Sequence, residues 1–164
     1  MFYGPPEFAV IKDGIEQEDI YFMRLALKEA GLAFSEGEVP VGAVLVINGG
    51  IVTRTRNQRE KLNDPSAHAE VLALREGAKL TGSWRLNDAA LYVTKEPCIM
   101  CAGTMVSARL GRLVYGCDDI KAGAVKSLYQ ILSDKRLNHQ VQVTSGILES
   151  ECAGILQEFF RERR

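Results

Sequence analysis

Apolar residues recur along this 164-residue chain in runs of alternately helical and strand-like spacing. Ile20, Met23, Leu27, Ala30 and Phe34 fall three or four apart, which predicts an amphipathic first helix. An apolar run over 41–47, the turn Asn48-Gly49-Gly50 and a second run over 51–56 predict a β-hairpin. Residues 59–67 are polar, contain Asp64-Pro65 and read as a loop. From His68 to about Lys79 the spacing puts Val71, Leu74 and Ala78 on one helical face. A short buried strand at 90–94, an apolar helix at 98–108, and strands at 113–115 and 141–144 follow. Cys152, Ile155, Leu156, Phe159 and Phe160 match the i, i+3, i+4, i+7, i+8 template of a closing helix.

Strands alternating with helices predict an α/β protein: a three-layer α/β/α sandwich with a mixed sheet of about five strands and helices on both faces. Residues 1–16 carry Gly4, Pro5 and Pro6 without sustained period and read as a loosely attached arm. Residues 17–164 then form one domain, long enough for a substantial core. The helix at 98–108 is apolar nearly all round. It is either central in the core or pressed against a second subunit.

A hydrophobic fraction of 46% and a charged fraction of 25% exclude disordered, collagen-like and membrane classes. The start has no signal-peptide pattern, and no apolar run approaches the eighteen or so residues of a membrane span, so a cytoplasmic location is expected. Twenty basic residues against twenty-one acidic give a net charge of −1. Nucleic-acid binders usually show a basic surplus, so any RNA contact must come from local clusters. Arg54, Arg56, Arg59 and Lys61 surround Asn57 with only Glu60 opposing, and Arg161, Arg163 and Arg164 close the chain. For Arg54 and Arg56 alone a solvated face is the expected reading; beside a nucleotide site the cluster becomes a candidate for phosphate contact.

The chemistry lies in His68-Ala69-Glu70 and in Pro97-Cys98 with Cys101. One imidazole and two thiolates make three zinc ligands and leave a fourth tetrahedral position for water, whereas a structural site normally fills all four. His139, Cys117 and Cys152 stand near no second ligand pair, and the two cysteines read as small core residues. Cys98 and Cys101, three apart at a helix start, put both sulfurs on one face. Pro97 suits the first turn, where its missing N–H costs nothing. Within a helix His68 and Glu70 would point roughly 200° apart. They can share a site only if His68 sits at the helix entry, leaving Glu70 beside the water to shuttle protons.

Together these residues match the signature of zinc nucleobase deaminases. Beyond it, the chain resembles the bacterial tRNA-specific adenosine deaminases of the cytidine deaminase-like superfamily, from about Glu18 to the C-terminus. The resemblance rests on residues 38–46, Asn57, 64–70, 84–88, 91–94, 96–103 and the tail from Gly146 to Arg164. It implies one zinc per subunit on His68, Cys98 and Cys101, with Glu70 as proton shuttle. It also implies a substrate site using Asn57, Val39, Pro40 and Ala69, and a loop with Asp119 and Lys121 near the anticodon stem-loop. A homodimer acting on tRNA, with no DNA or membrane partner, and conversion of the wobble adenosine to inosine follow from the same resemblance. Lys126 and Arg54-Thr55-Arg56 depart from the family pattern. The rival readings are a deaminase of a free base such as guanine or cytosine, and a non-catalytic zinc-stabilised module. Glu70 argues against the module, because a structural site has no use for a free carboxylate at the metal.

Overall fold

The computed structural model describes residues 17–164, and the arm expected at 1–16 lies outside them. In order come α1 (Gln17–Ser35), β1 (Gly42–Ile47), β2 (Gly50–Arg56), α2 (Arg59–Leu62) and α3 (Ala69–Thr81). β3 (Ala89–Lys95), α4 (Ile99–Ser107), β4 (Arg112–Cys117), a 3-10 turn (Ile131–Ser133), β5 (Gln142–Thr144) and α5 (Glu149–Glu162) complete the chain. The strands make one sheet in the order β2-β1-β3-β4-β5. β1 runs antiparallel to β2 and β3, while β3, β4 and β5 are parallel.

The hairpin turn is the expected one. Asn48 (φ 51°) and Gly49 (φ 74°) are both left-handed, as a two-residue turn matched to strand twist requires. Strand alternation then sorts the layers. On one face of β1 a Cβ at Gly42 would collide with the Ala26 backbone of α1, so the helix lies directly on the strand. On the other face Leu45 reaches Gly77 of α3, again with no room for a Cβ. α5 lies beside α1, joined to it by the edge-on Phe34–Phe159 pair at 5.5 Å. α4 packs against α3 and the 3-10 turn. Helices thus cover both faces of a mixed five-stranded sheet, as expected.

One element differs from the sequence reading. The segment 59–67 is not wholly a loop, because Arg59–Leu62 forms a single helical turn. Its N-terminus rests on the buried carboxylate of Glu38, which accepts hydrogen bonds from the N–H groups of Glu60 (3.2 Å) and Lys61 (2.7 Å). One turn is too short to show a period, and its partner lies more than twenty residues upstream. Of the two placements open to the apolar helix α4, the structure leaves the one with an uncovered outer face. Cys101, Ala102, Met105 and Val106 are buried, but Ile99 is 55% exposed and open space lies beyond Gly103. Among the described residues no helix is long and apolar enough to cross a membrane.

Candidate active site

Because β1 alone runs the other way, the carboxyl ends of β2, β3 and β4 and the start of β1 share one edge of the sheet. Open α/β sheets bind ligands outside the carboxyl ends of their strands. Here α3 and α4 both begin at that edge. His68 is the N-cap residue of α3 (φ −74°, ψ 149°) and Cys98 that of α4 (φ −76°, ψ 177°). Both are extended, and neither side chain caps its own helix. The imidazole and the thiol turn toward each other instead, and two positive helix ends converge on them.

His68 Nδ1 lies 3.7 Å from Cys98 Sγ and 3.5 Å from Cys101 Sγ. All three ligand atoms lie within 4.8 Å of one another, a group able to hold a metal ion. Zinc, at about 2.3 Å from sulfur and 2.0 Å from nitrogen, sets a tetrahedral sulfur–nitrogen edge of roughly 3.5 Å. The donor types and their spacing therefore fit zinc. A hydrogen bond from Cys101, with another from His68, pulls the Cys98 thiol down to about 3. Cys101 is pushed up by that hydrogen bond to Cys98, by burial and by Glu70. His68 is raised, chiefly by its hydrogen bond to Cys98. Burial raises Glu70, whose carboxyl group sits beside Cys101.

His68, Glu70 and Cys98 line a cavity of about 270 Å³ together with Val39, Asn57, Arg59, Lys95, Glu96, Asp119 and Phe160. That is the small end of ligand-pocket size, suited to one nucleobase rather than a structured RNA. Asn57 is buried at the wall, its amide donating to the Val39 carbonyl (3.2 Å) and accepting from the Arg59 N–H (3.2 Å). Val39 and Asp119 line the cavity; Pro40, Ala69 and Lys121 do not. Pro40 is buried, the Ala69 carbonyl is taken by the Thr55 hydroxyl (2.7 Å), and Lys121 is exposed.

The basic cluster around Asn57 divides. Arg54 pairs with Glu29 (3.1 Å), and Arg56 with Glu29 (3.2 Å) and Glu36 (2.8 Å), so both tie β2 to α1. Arg59 instead faces the cavity. Lys126 pairs with Asp118 (3.0 Å), and Arg163 lies over the Phe159 ring at 3.4 Å. His139 is no ligand; its Nε2 meets the Leu110 carbonyl at 2.7 Å. Cys117 and Cys152 are buried, as expected of core residues.

Sequence reasoning placed none of Glu96, Lys95 and Phe160 at the site. Glu96 is 2% exposed and organises the loop after β4. Its Oε2 accepts from the Asp119 N–H (2.8 Å) and Ser127 hydroxyl; its Oε1 accepts from the N–H groups of Val125 (3.3 Å), Lys126 (2.7 Å) and Ser127 (2.8 Å). Against its burial, these bonds, led by the Ser127 hydroxyl, hold the Glu96 carboxyl below the usual range. A Cβ at Gly123 would sit on that carboxylate, so only glycine lets the loop close over it. Phe160 followed the helical template of its buried neighbour Phe159, yet it is 49% exposed at the cavity rim.

A five-stranded mixed sheet with a His-Cys-Cys cluster and a buried glutamate at its edge defines the deaminase class within this α/β architecture. The model of the MafB19-like deaminase family matches residues 16–164, and the chain belongs to that family. It is 50% identical over 147 residues to the tRNA-specific adenosine deaminase of Bacillus subtilis (strain 168), covering 90% of this chain and 91% of that protein. A structure solved in a study of A-to-I editing by tRNA:A34 deaminases at the wobble position superposes with a TM-score of 0.80 at 47% identity. It covers 83% of this chain and 99% of its own. The guanine deaminase of Nitrosomonas europaea superposes at 0.75 with 20% identity, covering 95% and 89%, and shares the fold alone.

Proposed function

We propose that this chain is a zinc-dependent hydrolytic deaminase that converts the wobble adenosine of a tRNA anticodon to inosine. The carrying observation is the His68–Cys98–Cys101 cluster beside Glu70 in a cavity sized for one base. The half-identical relative named for tRNA-specific adenosine deamination supports the choice of substrate. His68, Cys98 and Cys101 would hold the zinc, which would supply a water made acidic near neutral pH. Glu70 takes a proton from the water as its oxygen attacks C6 of the purine. It delivers that proton to N1 and then moves the remaining hydroxyl proton from the C6 oxygen to the departing amino group, so adenosine and water give inosine and ammonia. Burial suits Glu70 to this traffic, because a raised carboxyl pKa makes protonation accessible closer to neutrality. Asn57 and Val39 border the base, and Phe160 offers a ring at the rim. A single-stranded anticodon loop supplies an unstacked base at little cost.

The outer face of α4, with Ile99 and Met100 beside the open Gly103, suits a second copy of the chain, and we propose a homodimer. Ammonia release from a tRNA transcript, adenosine, guanine and cytosine tests the function. Release from the transcript alone is the expected result. Release from guanine or cytosine alone would overturn the substrate, and release from none would overturn the enzyme.

A further inference from the structure

Lys95 is the last residue of β3 and stands in the wall of the cavity. Its ammonium lies 2.9 Å from Asp119 Oδ2, and its side chain remains 29% exposed. The other oxygen of Asp119 accepts the N–H groups of Lys121 (3.1 Å) and Ala122 (3.2 Å), which close the turn at 119–122. The carboxylate would thus stay bonded if the lysine left. Lys95 carries three donors and this one ion-pair partner among the described residues. With its lysine side chain partly exposed, the pair is open to exchange. The lining otherwise holds the carboxylates of Glu70, Glu96 and Asp119 against a single further cation, Arg59. A base inserted far enough to reach the cluster leaves its sugar and flanking phosphates at the rim.

We infer that Lys95 is a phosphate-binding residue, exchanging Asp119 for a phosphodiester oxygen next to the target nucleoside. Arg59 is the other cation among the cavity-lining residues. This rests on the RNA reading above, and it adds a contact that positions the strand rather than reads the base.

The test uses zinc-loaded protein and an anticodon stem-loop RNA carrying inosine at the target position, so that binding is measured without turnover. A plot of log affinity against log salt falls by about 0.7 per phosphate neutralised on a single strand. Lys95→Met should be shallower by that amount, so that between 50 and 200 mM salt it loses about 2.6-fold less affinity than the wild type. Lys95→Arg should keep the wild-type slope. The double variant Lys95→Met/Asp119→Asn separates the causes. A slope that stays shallow supports the contact, whereas a return to the wild-type slope shows that Lys95 only neutralises Asp119 and overturns it. An unchanged slope in Lys95→Met, with the wild type binding and editing RNA, overturns this inference alone. Failure of the wild type to bind the RNA removes the RNA reading with it.

Discussion

Replacing Glu96 by Gln changes one atom, yet it strikes the network that shapes one wall of the cavity. Oε1 of the carboxylate accepts three backbone N–H groups; Oε2 accepts the Asp119 N–H and the Ser127 hydroxyl. An amide placed to keep the first three bonds aims its NH2 at the Asp119 N–H, donor against donor. The Ser127 hydroxyl can rotate and accept, so it is spared. One charge-assisted bond is lost, one donor is left facing another, and three bonds lose their charge. Bonds to charged groups contribute about 1.5–3 kcal/mol each, and neutral ones about 1. At the lower end of these ranges the loss from Glu96→Gln is about 3 kcal/mol.

With a urea dependence of about 2 kcal/mol per molar, that moves the unfolding midpoint down by roughly 1.5 M. Zinc and protein concentration must be held constant, since both shift apparent stability. Glu38 is the comparator: it is equally buried but accepts two backbone N–H groups, so Glu38→Gln should cost less. Turnover adds a second readout, because the Glu96 loop carries Asp119 into the cavity and should loosen before the domain unfolds. A midpoint shift under about 0.3 M with unchanged turnover would refute the idea that Glu96 holds this wall.

Glu70→Gln should keep its zinc and lose about 10²- to 10⁴-fold in turnover, with metal content and rate measured on one sample. Cys101→Ala should lose zinc and activity together, and a fully loaded, active variant would show that the ligand set is wrong. Sedimentation at micromolar concentration should find a species of twice the 18.1 kDa chain mass; a monomer alone would count against the α4 interface.

The legible parts of this molecule are those whose partners are close in sequence or whose spacing is chemically restrictive. The Asn48-Gly49 hairpin and the helices around Met23, Leu74 and Leu156 declare themselves through local period. Imidazole and thiols at those intervals leave few alternatives, so the metal cluster could be read before its geometry was seen. The supports were not legible. Glu38 reaches α2 and Glu96 reaches Lys126 across more than twenty residues, and in sequence each is merely an acid near a proline. The arginines of β2 show the same limit with opposite sign. Locally only Glu60 opposes them, but β2 lies against α1, and Glu29 of that helix and Glu36 just past its end answer them. Charge counted along the chain therefore overstated the cations available to RNA, while Lys95, isolated in sequence, entered the cavity.

The two helix starts also place a cost where the chemistry needs it. An N-cap side chain that bonds its own helix contributes about 1 kcal/mol, and Asn is among the best choices. α3 and α4 begin with His68 and Cys98, which make no such bond. Packing on the sheet and between the helices carries their stability instead, so the orphan N–H groups can lend their potential to the thiolates. His68 already has the extended backbone that an N-cap requires, so His68→Asn should cap α3 without strain. In chelator-treated protein the variant should then unfold at higher urea than the wild type, by the equivalent of about 1 kcal/mol. With zinc added the order should reverse, because only the wild type keeps all three ligands and gains binding energy in the folded state. A variant less stable than the wild type under both conditions would mean that His68 contributes to packing more than its exchange for a cap returns, and that the helix start was never a sacrifice made for the metal.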